Sequence, residues 1–518
     1  MKKKKLFLSL LLVLTLVLVL LPGLQTKAEA AAADSIQIGG QELPSGYYRP
    51  LLQDYNYNTE FKPSGSYYYY KDGVLTLYNV VHECLGDLRV VYAEGDLTVN
   101  ITGSNSITSH NANAIRTTGT LKFTGSGSLK VTSGYDAIYS SGNMEFAQTG
   151  TVTAAATGIN ASGVETAGKL TIGGNLNATA ESSYAIFATG DISMTKGTVN
   201  ATGNCTYSAG GIRSNGAITI SGGMLNVTSK SDGIIAKNDF WQKGGNVTVN
   251  ADWNGIIVEN STNDARISAG TLTVTAVRDG LKARKFYMNG GHGYIKSTNT
   301  SSDSSYCAVK LAENTSSYFY MQGSVKASGS TTTSSGGLTN LTYANIPTYD
   351  YVFFTGYISV NGVELRDGHY LQSGKTTTNT GVPSGGYAYY SGNTLTLNNY
   401  EGNNTAASGI YSRFDLNIVL TQGSVNKLTT STTNGTTYRG VNVSGTLKIS
   451  GLGQLTIGGG QYAIYSTGSL NIGTSVIKIY GSGIYSGSTI RLDGAMLDMT
   501  NINSYSGMAC AIKTNYNL

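Results

Sequence analysis

The chain has 518 residues and a formal net charge of +5, and only 13% of its residues are charged. Five lysines and one glutamate lie in residues 1–30, so residues 31–518 carry a net charge of only +1. A nearly neutral chain lacks the basic surface that nucleic-acid binding requires, so we expect no nucleic-acid partner. The chain is rich in glycine, but the regular alternation of Val, Ile, Leu and Phe predicts strands rather than disorder.

The N-terminus has the parts of a secretory signal. Lysines at positions 2–5 are followed by the apolar run Leu6–Leu21 and by a small-x-small cleavage site at Ala28-Glu29-Ala30. The apolar run is shorter than a full membrane span, so we interpret residues 1–30 as a signal peptide rather than an anchor. The mature protein is therefore expected to be secreted or associated with the cell surface, with no membrane span.

A tyrosine-rich module occurs twice. Ile36–Leu43 resembles Ile358–Leu365, and Pro63–Tyr70 resembles Pro383–Tyr390. Each copy precedes a run of short repeats, and the end of a repeat array exposes apolar core and strand edges. We therefore interpret both copies as caps. Stacking of the tyrosines on sugars is the alternative.

The repeats return about every 24 residues, and each has short strands, Gly turns and a Gly-Ile or Ala-Ile landmark. The landmark residues are Ile115, Ile138, Ile159, Ile186, Ile212, Ile234, Ile256, Leu281 and Val309, and later Ile410, Val441, Ile464, Ile484 and Ile512. The alternation has period 2 rather than 3.6, which favours strands over helical repeats. We predict an all-β fold, a right-handed parallel β-helix in two segments, each preceded by a cap.

The predicted organisation has six parts. These are the signal peptide 1–30, an N-terminal capping module 31–80, a first β-helix 81–327, a Ser/Thr/Gly-rich linker 328–357, a repeated capping module 358–400 and a second β-helix 401–518. The chain stops soon after its last landmark, which is compatible with a truncated reading frame.

Stacked coils align equivalent residues in columns, and one outward column changes character along the chain. Its residues are Lys122, Glu145, Thr171, Ser193, Thr219, Trp241, Arg266, Tyr287 and Tyr320. Trp241 and Tyr287 are two coils apart, about 10 Å, near the length of a disaccharide. Aromatic rings stack on sugars and Arg pairs with carboxylates. We therefore predict a carbohydrate-binding set of Trp241, Arg266, Tyr287, Tyr320 and Tyr294. The alternative is an exposed ladder that only stabilises the sheet.

A second column contains the residue before each Gly-Ile landmark. Its residues are Asn113, Asp136, Thr157, Tyr184, Gly210, Asp232, Asn254, Asp279 and Cys307. Asp232, Asn254 and Asp279 supply hard oxygen ligands, which predicts a calcium site. The alternative is a polar turn ladder, because Asp and Asn are favoured in turns. Arg278 and Lys282 can also neutralise Asp279 without a metal.

These turns resemble those of secreted clostridial β-helix proteins described as carbohydrate-binding domains. The best matches are Asp232-Gly233-Ile234, Asn254-Gly255-Ile256 and Asp279-Gly280-Leu281, within residues 210–300. The resemblance implies a Gram-positive bacterial source, calcium as a bound ion, and an acidic polysaccharide, such as a pectic glycan, as the partner.

The residues give less support to an enzymatic function. The chain has Gly291-His292-Gly293, as polygalacturonases do, but no preceding Asp-Asp pair for hydrolysis. A pectate-lyase-like enzyme needs calcium carboxylates and a base, which Asp232, Asp279 and Arg278 or Lys282 can loosely supply. We predict a secreted, non-catalytic protein that binds acidic polysaccharide. The alternatives are a structural adhesin or matrix protein and, less favoured, a polysaccharide lyase.

Overall fold

The computed structural model describes most of the chain after the predicted signal peptide, which lies outside the described residues. The described ranges are 34–51, 58–207, 209–299, 306–313, 315–321, 325–331, 339–404, 406–413, 415–430, 438–458, 462–481, 483–502 and 512–514. Within these ranges the regular elements are strands, apart from one short 3-10 helix at Ile346–Thr348. In the same ranges, no helix combines the length and the apolar character needed to cross a membrane.

The predicted right-handed parallel β-helix is confirmed. In the first solenoid each coil adds one strand to each of three sheets, and successive coils pair in parallel. Within each coil, the strand of sheet 1 comes first and starts at the landmark residue. The strand of sheet 2 follows, and the strand of sheet 3 is the last of the coil. Sheet 1 comprises Val91–Ala93, Ile115–Thr117, Ile138–Ser140, Val164–Thr166, Ile186–Ala188, Ile212–Ser214, Ile234–Ala236, Ile256–Val258, Leu281–Ala283 and Val309–Leu311.

The other two sheets have the same parallel order. Sheet 2 comprises Leu97–Thr102, Leu121–Gly125, Met144–Phe146, Leu170–Ile172, Ile192–Met194, Ile218–Ile220, Phe240–Gln242, Asp264–Ile267, Lys285–Met288 and Phe319–Met321. Sheet 3 comprises Val81–Cys84, Ser104–Ser109, Ser128–Ser133, Thr151–Ala156, Asn175–Ala180, Thr198–Gly203, Met224–Ser229, Asn246–Ala251, Thr271–Ala276 and His292–Ser297.

The core forms because alternate residues of each strand point inward. In sheet 2 the inward rings Phe123 and Phe146 are fully buried and stack at 4.9 Å between centroids. The turn from sheet 2 to sheet 3 repeatedly needs a left-handed residue. Gly245 has φ +72° there, and a Cβ would lie 2.7 Å from the carbonyl oxygen of Gly223, so glycine is required by both backbone conformation and space.

One landmark was predicted wrongly. Ile159 is 87% exposed, whereas Val164 is fully buried and pairs with Ile138 on one side and Ile186 on the other. The turn before this strand spans residues 157–163, whereas the turn of the preceding coil spans only residues 134–137. It contains Asn160 with φ +57°. The position assigned to Thr157 in the polar column therefore belongs to Ser162.

The tyrosine-rich modules add antiparallel strands to the start of each solenoid. The first contributes Ser35–Ile38, Gln41–Pro44, Tyr47–Pro50, Tyr67–Lys71 and Val74–Tyr78, and the second contributes Val363–Arg366, His369–Gln372, Thr378–Asn379, Tyr387–Ser391 and Thr394–Asn398. In both copies, strands of the module lie at the beginning of sheets 1 and 2, where an uncovered edge would otherwise face solvent.

The tyrosines of the two modules pack on one another in the same way. Tyr48 stacks on Tyr69 at 4.2 Å, and Tyr370 stacks on Tyr389 at 4.3 Å. Each also has an edge-to-face partner at 5.2 Å and 77°. This repeated geometry supports the interpretation that the rings pack within the cap.

The second solenoid repeats the three-sheet arrangement. Sheet 1 comprises Ile410–Ser412, Val441–Val443, Ile464–Ser466, Ile484–Ser486 and Ile512–Thr514; sheet 2 comprises Leu416–Leu420, Leu447–Gly451, Leu470–Ile472 and Ile490–Leu492; sheet 3 comprises Glu401–Asn404, Val425–Thr430, Gln454–Gly458, Val476–Gly481 and Met496–Ile502.

One long strand, Tyr351–Val360, joins the two solenoids. Its first half pairs antiparallel with His292–Ser297 and with Val325–Ser330 of the first solenoid. Its second half pairs with Val363–Arg366 and with the first sheet 1 strand of the second solenoid. The predicted linker 328–357 thus contains strand Thr339–Asn340, the 3-10 helix and the start of this long strand. The division into six parts stays a prediction.

Candidate functional site

Four of the predicted carbohydrate-binding residues lie in one row on the outer face of sheet 2. Trp241 pairs in register with Arg266, Arg266 with Tyr287, and Tyr287 with Tyr320. The preceding residues Phe240, Ala265, Phe286 and Phe319 are all buried. Because side chains alternate along a strand, the buried residues direct their neighbours outward. We call the row Trp241, Arg266, Tyr287 and Tyr320 the aromatic strip.

Cation–π contacts order the aromatic strip. The Arg266 guanidinium carbon lies 5.8 Å from the Trp241 ring centroid and 5.1 Å from that of Tyr287. Lys243 Nζ lies 3.8 Å from the Trp241 ring, and Trp241 Nε1 donates a hydrogen bond to Ser268 Oγ at 3.0 Å. The strip therefore presents aromatic rings that are held in place and interleaved with cations.

Two carboxylates behind the strip leave an excess of positive charge at its surface. Asp264 is 4% exposed and accepts hydrogen bonds from Arg284 at 2.7 and 3.0 Å and from Arg266 at 3.3 Å. The hydrogen bonds to Asp264 raise the pKa of the Arg284 guanidinium. Asp239 accepts the backbone N–H of Asp264. The cations Lys243, Arg266, Arg284 and Lys285 outnumber these two carboxylates.

The fifth predicted residue lies elsewhere. Tyr294 is on sheet 3, where it pairs with Thr273 and with Phe353 of the long strand. Its ring stacks on Tyr351 at 5.5 Å and 26°. Tyr294 is therefore not part of the aromatic strip, and its ring already has an aromatic partner.

The predicted calcium ligands form a chain of hydrogen bonds along the coils. Asp232 Oδ1 accepts the backbone N–H and the side-chain Nδ2 of Asn254, at 3.1 and 2.8 Å. Asn254 Oδ1 accepts the N–H of Asp279 at 3.3 Å, and Asp279 Oδ1 accepts the N–H of Cys307 at 3.1 Å. Burial raises the pKa of Asp279, and Lys310 and Lys282 oppose that rise.

This chain of contacts has the form of a polar turn ladder. Calcium takes six to eight oxygen ligands, whereas each coil supplies one side chain here and its Oδ1 already serves the next coil. Among the described residues, no group of three or more His, Cys, Asp and Glu is placed to hold a metal ion. The residues therefore fit the ladder, and calcium binding stays a prediction that a chelator experiment can test.

A pair of half-buried carboxylates, Asp136 and Glu165, was not recognised as a pair from the sequence. Ser162 donates its backbone N–H to Asp136 at 2.8 Å and its hydroxyl to Glu165 at 3.1 Å. Burial and the neighbouring Asp136 raise the pKa of Glu165 to about 7, against the opposing Ser162 hydrogen bond. Because Ile159 was taken as the landmark, Ser162 was not placed in the polar column. The sequence therefore gave no indication that Ser162 contacts Asp136 and Glu165.

The comparison with protein families covers the middle of the chain. Residues 163–398 match the model of a carbohydrate-binding domain-containing protein. This segment is similar to a carbohydrate-binding family. The match confirms the resemblance predicted from the Asp/Asn-Gly turns, and it includes the whole aromatic strip and the polar ladder. No curated protein matches the chain, and neither does any solved structure.

Proposed function

We propose that the protein binds acidic polysaccharide, without catalysis, at the aromatic strip. The observation that carries the proposal is Arg266, held in register between the rings of Trp241 and Tyr287 at 5.8 and 5.1 Å. The match of residues 163–398 to a carbohydrate-binding family supports a glycan ligand. The excess of cations beside the strip supports an acidic glycan.

The strip offers both contacts that a uronate chain requires. Aromatic side chains bury the apolar faces of sugar rings, and a guanidinium pairs with a carboxylate through two parallel hydrogen bonds. The side chains project from a rigid sheet, so little conformational entropy is lost when the ligand binds. Trp241 and Tyr287 are two coils apart, about 10 Å. The two rings can therefore stack on different sugar residues of one polysaccharide chain.

Affinity gel electrophoresis tests the proposal. We expect polygalacturonate in the gel to retard the protein strongly and neutral xylan to retard it weakly, with a cellulose pull-down as a second neutral control. The double variant Trp241→Ala/Tyr287→Ala should be retarded much less. The matched double variant Thr171→Ala/Thr219→Ala alters the same column in earlier coils and should keep it. Unchanged retardation of the first variant contradicts the site.

The same samples separate the alternative functions. A structural adhesin or matrix protein would self-associate or bind protein while every glycan failed to retard it. A lyase would release unsaturated uronate, detected by its ultraviolet absorbance, in the presence of calcium. Repeating the electrophoresis with a chelator tests whether calcium contributes to binding. Export through residues 1–30, and with it a secreted or surface location, belongs to the proposal and is tested by fractionating the native culture.

A further inference from the structure

The chain has two tryptophans, and both lie in one coil. Trp241 begins the aromatic strip on sheet 2. Trp253 lies after strand Asn246–Ala251, at the corner between sheet 3 and sheet 1. The equivalent corner residues of the next two coils are Arg278 and Tyr306. The order Trp, Arg, Tyr therefore occurs twice on the same three coils, once on each side of sheet 3.

The corner residues also make cation–π contacts. The Arg278 guanidinium carbon lies 4.1 Å from the Trp253 ring centroid and 5.9 Å from that of Tyr306. The backbone N–H of Arg278 donates to the carbonyl oxygen of Trp253 at 2.9 Å, which fixes the stacking of the two corners. All three side chains belong to partly exposed residues.

Stabilisation of the sheet does not explain these large side chains. Cross-strand ladders stabilise paired strands, whereas Trp253, Arg278 and Tyr306 lie in turns. The equivalent corners of the three preceding coils carry the small residues Ser183, Ala209 and Ser231. A coil therefore closes without a ring at this position. Tyr135 is an isolated ring at the same corner of an early coil, whereas Trp253, Arg278 and Tyr306 occupy three successive coils that begin with the coil of Trp241.

The charge around the corner favours an anion. Lys282 and Lys310 are register partners on the adjoining strands of sheet 1 and, with Arg278, bring three cations to this region. Asp279 is 5% exposed and uses Oδ1 to accept the N–H of Cys307. Asp252 is the exposed carboxylate beside Trp253. Asp350, which acts on the neighbouring Cys307, is a further carboxylate and is partly exposed. The exposed and partly exposed groups are therefore three cations and two carboxylates, and their balance is positive.

We propose that Trp253, Arg278 and Tyr306 form a second binding site for acidic glycan. The six-residue strand Asn246–Ala251 separates it from the aromatic strip by about 20 Å. The ligand class rests on the proposed function, but the site is independent of the strip. A polymer chain that spans this distance and engages both sites is bound more tightly than at either site alone.

The two tryptophans give each site its own fluorescence signal. The variant Trp241→Phe leaves Trp253 as the single tryptophan of the chain, and Trp253→Phe leaves Trp241. We expect polygalacturonate to change the Trp253 emission of the first variant in a saturable way, and neutral xylan to leave it unchanged. Adding Arg278→Gln should weaken that response at least tenfold. Adding Lys122→Gln removes a cation from an early coil and should not.

The outcomes distinguish this proposal from the proposed function. Constant Trp253 emission, together with a response from Trp241 in the other variant, overturns the second site and leaves the aromatic strip intact. Constant emission in both variants overturns both. If Trp241→Phe fails to fold, Arg278→Gln in the otherwise unchanged chain replaces it in affinity electrophoresis. Reduced retardation by polygalacturonate then supports the second site, and unchanged retardation refutes it.

Discussion

The early and late coils of the first solenoid share a core but differ on the surface. Phe146 in an early coil and Phe286 in a late coil are both fully buried in sheet 2. On the outer face of the same sheet, the early coils carry an exposed ion pair followed by Thr and Ser residues. The late coils carry Trp241, Arg266 and two tyrosines in the same column. The coil is thus specified by its inward residues, which leaves its outward residues available for binding.

The largest predicted effect tests the shared core. Phe146→Ala and Phe286→Ala should each lower the free energy of unfolding by about 3–5 kcal/mol, because each leaves a cavity among buried side chains. Denaturant unfolding followed by circular dichroism measures the loss. Thr171→Ala, on the outer face, is the control and should cost far less. A small effect in one region would show that the two parts of the solenoid do not share the same core energetics.

A second prediction tests the difference at the surface. Arg266→Gln should weaken polygalacturonate binding about tenfold, or about 1.4 kcal/mol, because a charge-assisted contact is lost. The affinity should also fall less steeply with added salt. Lys122→Gln removes a cation from the same column in an early coil and should leave the affinity unchanged. Equal losses in the two variants would point to non-specific attraction instead of a defined site.

Much of the fold could be predicted because coils in register turn a sequence period into spatial columns. The order from Lys122 to Tyr320 on sheet 2 follows from strict alternation, and the structure pairs these residues in that order. Ile159 was misplaced because a longer turn precedes Val164, and a longer turn leaves no mark in an alternating pattern. Glu165 was missed for the same reason.

The site was less predictable than the fold. Trp253, Arg278 and Tyr306 lie in corners, where no alternation indicates direction, and their spacing differs between coils. The hydrogen bonds of Asp232 and Asn254 run along the stack, so only coordinates distinguish a turn ladder from a set of metal ligands.

A third prediction concerns pH and an early coil. The folded-state pKa of Glu165 is raised from 4.5 to about 7, so the folded chain holds this proton more tightly than the unfolded chain does. The associated stability is complete below pH 4.5 and is lost as the pH rises to about 7.

Glu165→Gln should therefore stabilise the protein at pH 8, by on the order of 1–2 kcal/mol, and much less at pH 4. Thermal unfolding at several pH values checks this expectation, with Thr171→Ala in the neighbouring strand as the control. A pH-independent difference between Glu165→Gln and the unaltered chain would contradict the burial of an ionised Glu165.

The smallest predicted effect decides how the outward column should be interpreted. Lys122 and Glu145 form an ion pair at 3.0 Å, and their side chains are 41% and 40% exposed. Exposed pairs contribute about 0.2–1 kcal/mol, so a double-mutant cycle with Lys122→Ala and Glu145→Ala should give a coupling in that range, reduced by salt. A larger coupling would show that outward residues stabilise the sheet as a ladder. The same explanation would then extend to Arg266 and its rings, and the aromatic strip would lose its distinction from the early coils. A small coupling would show that outward side chains contribute little to the stability of the sheet. The large rings of the late coils would then not be explained by stability, which favours their role in binding.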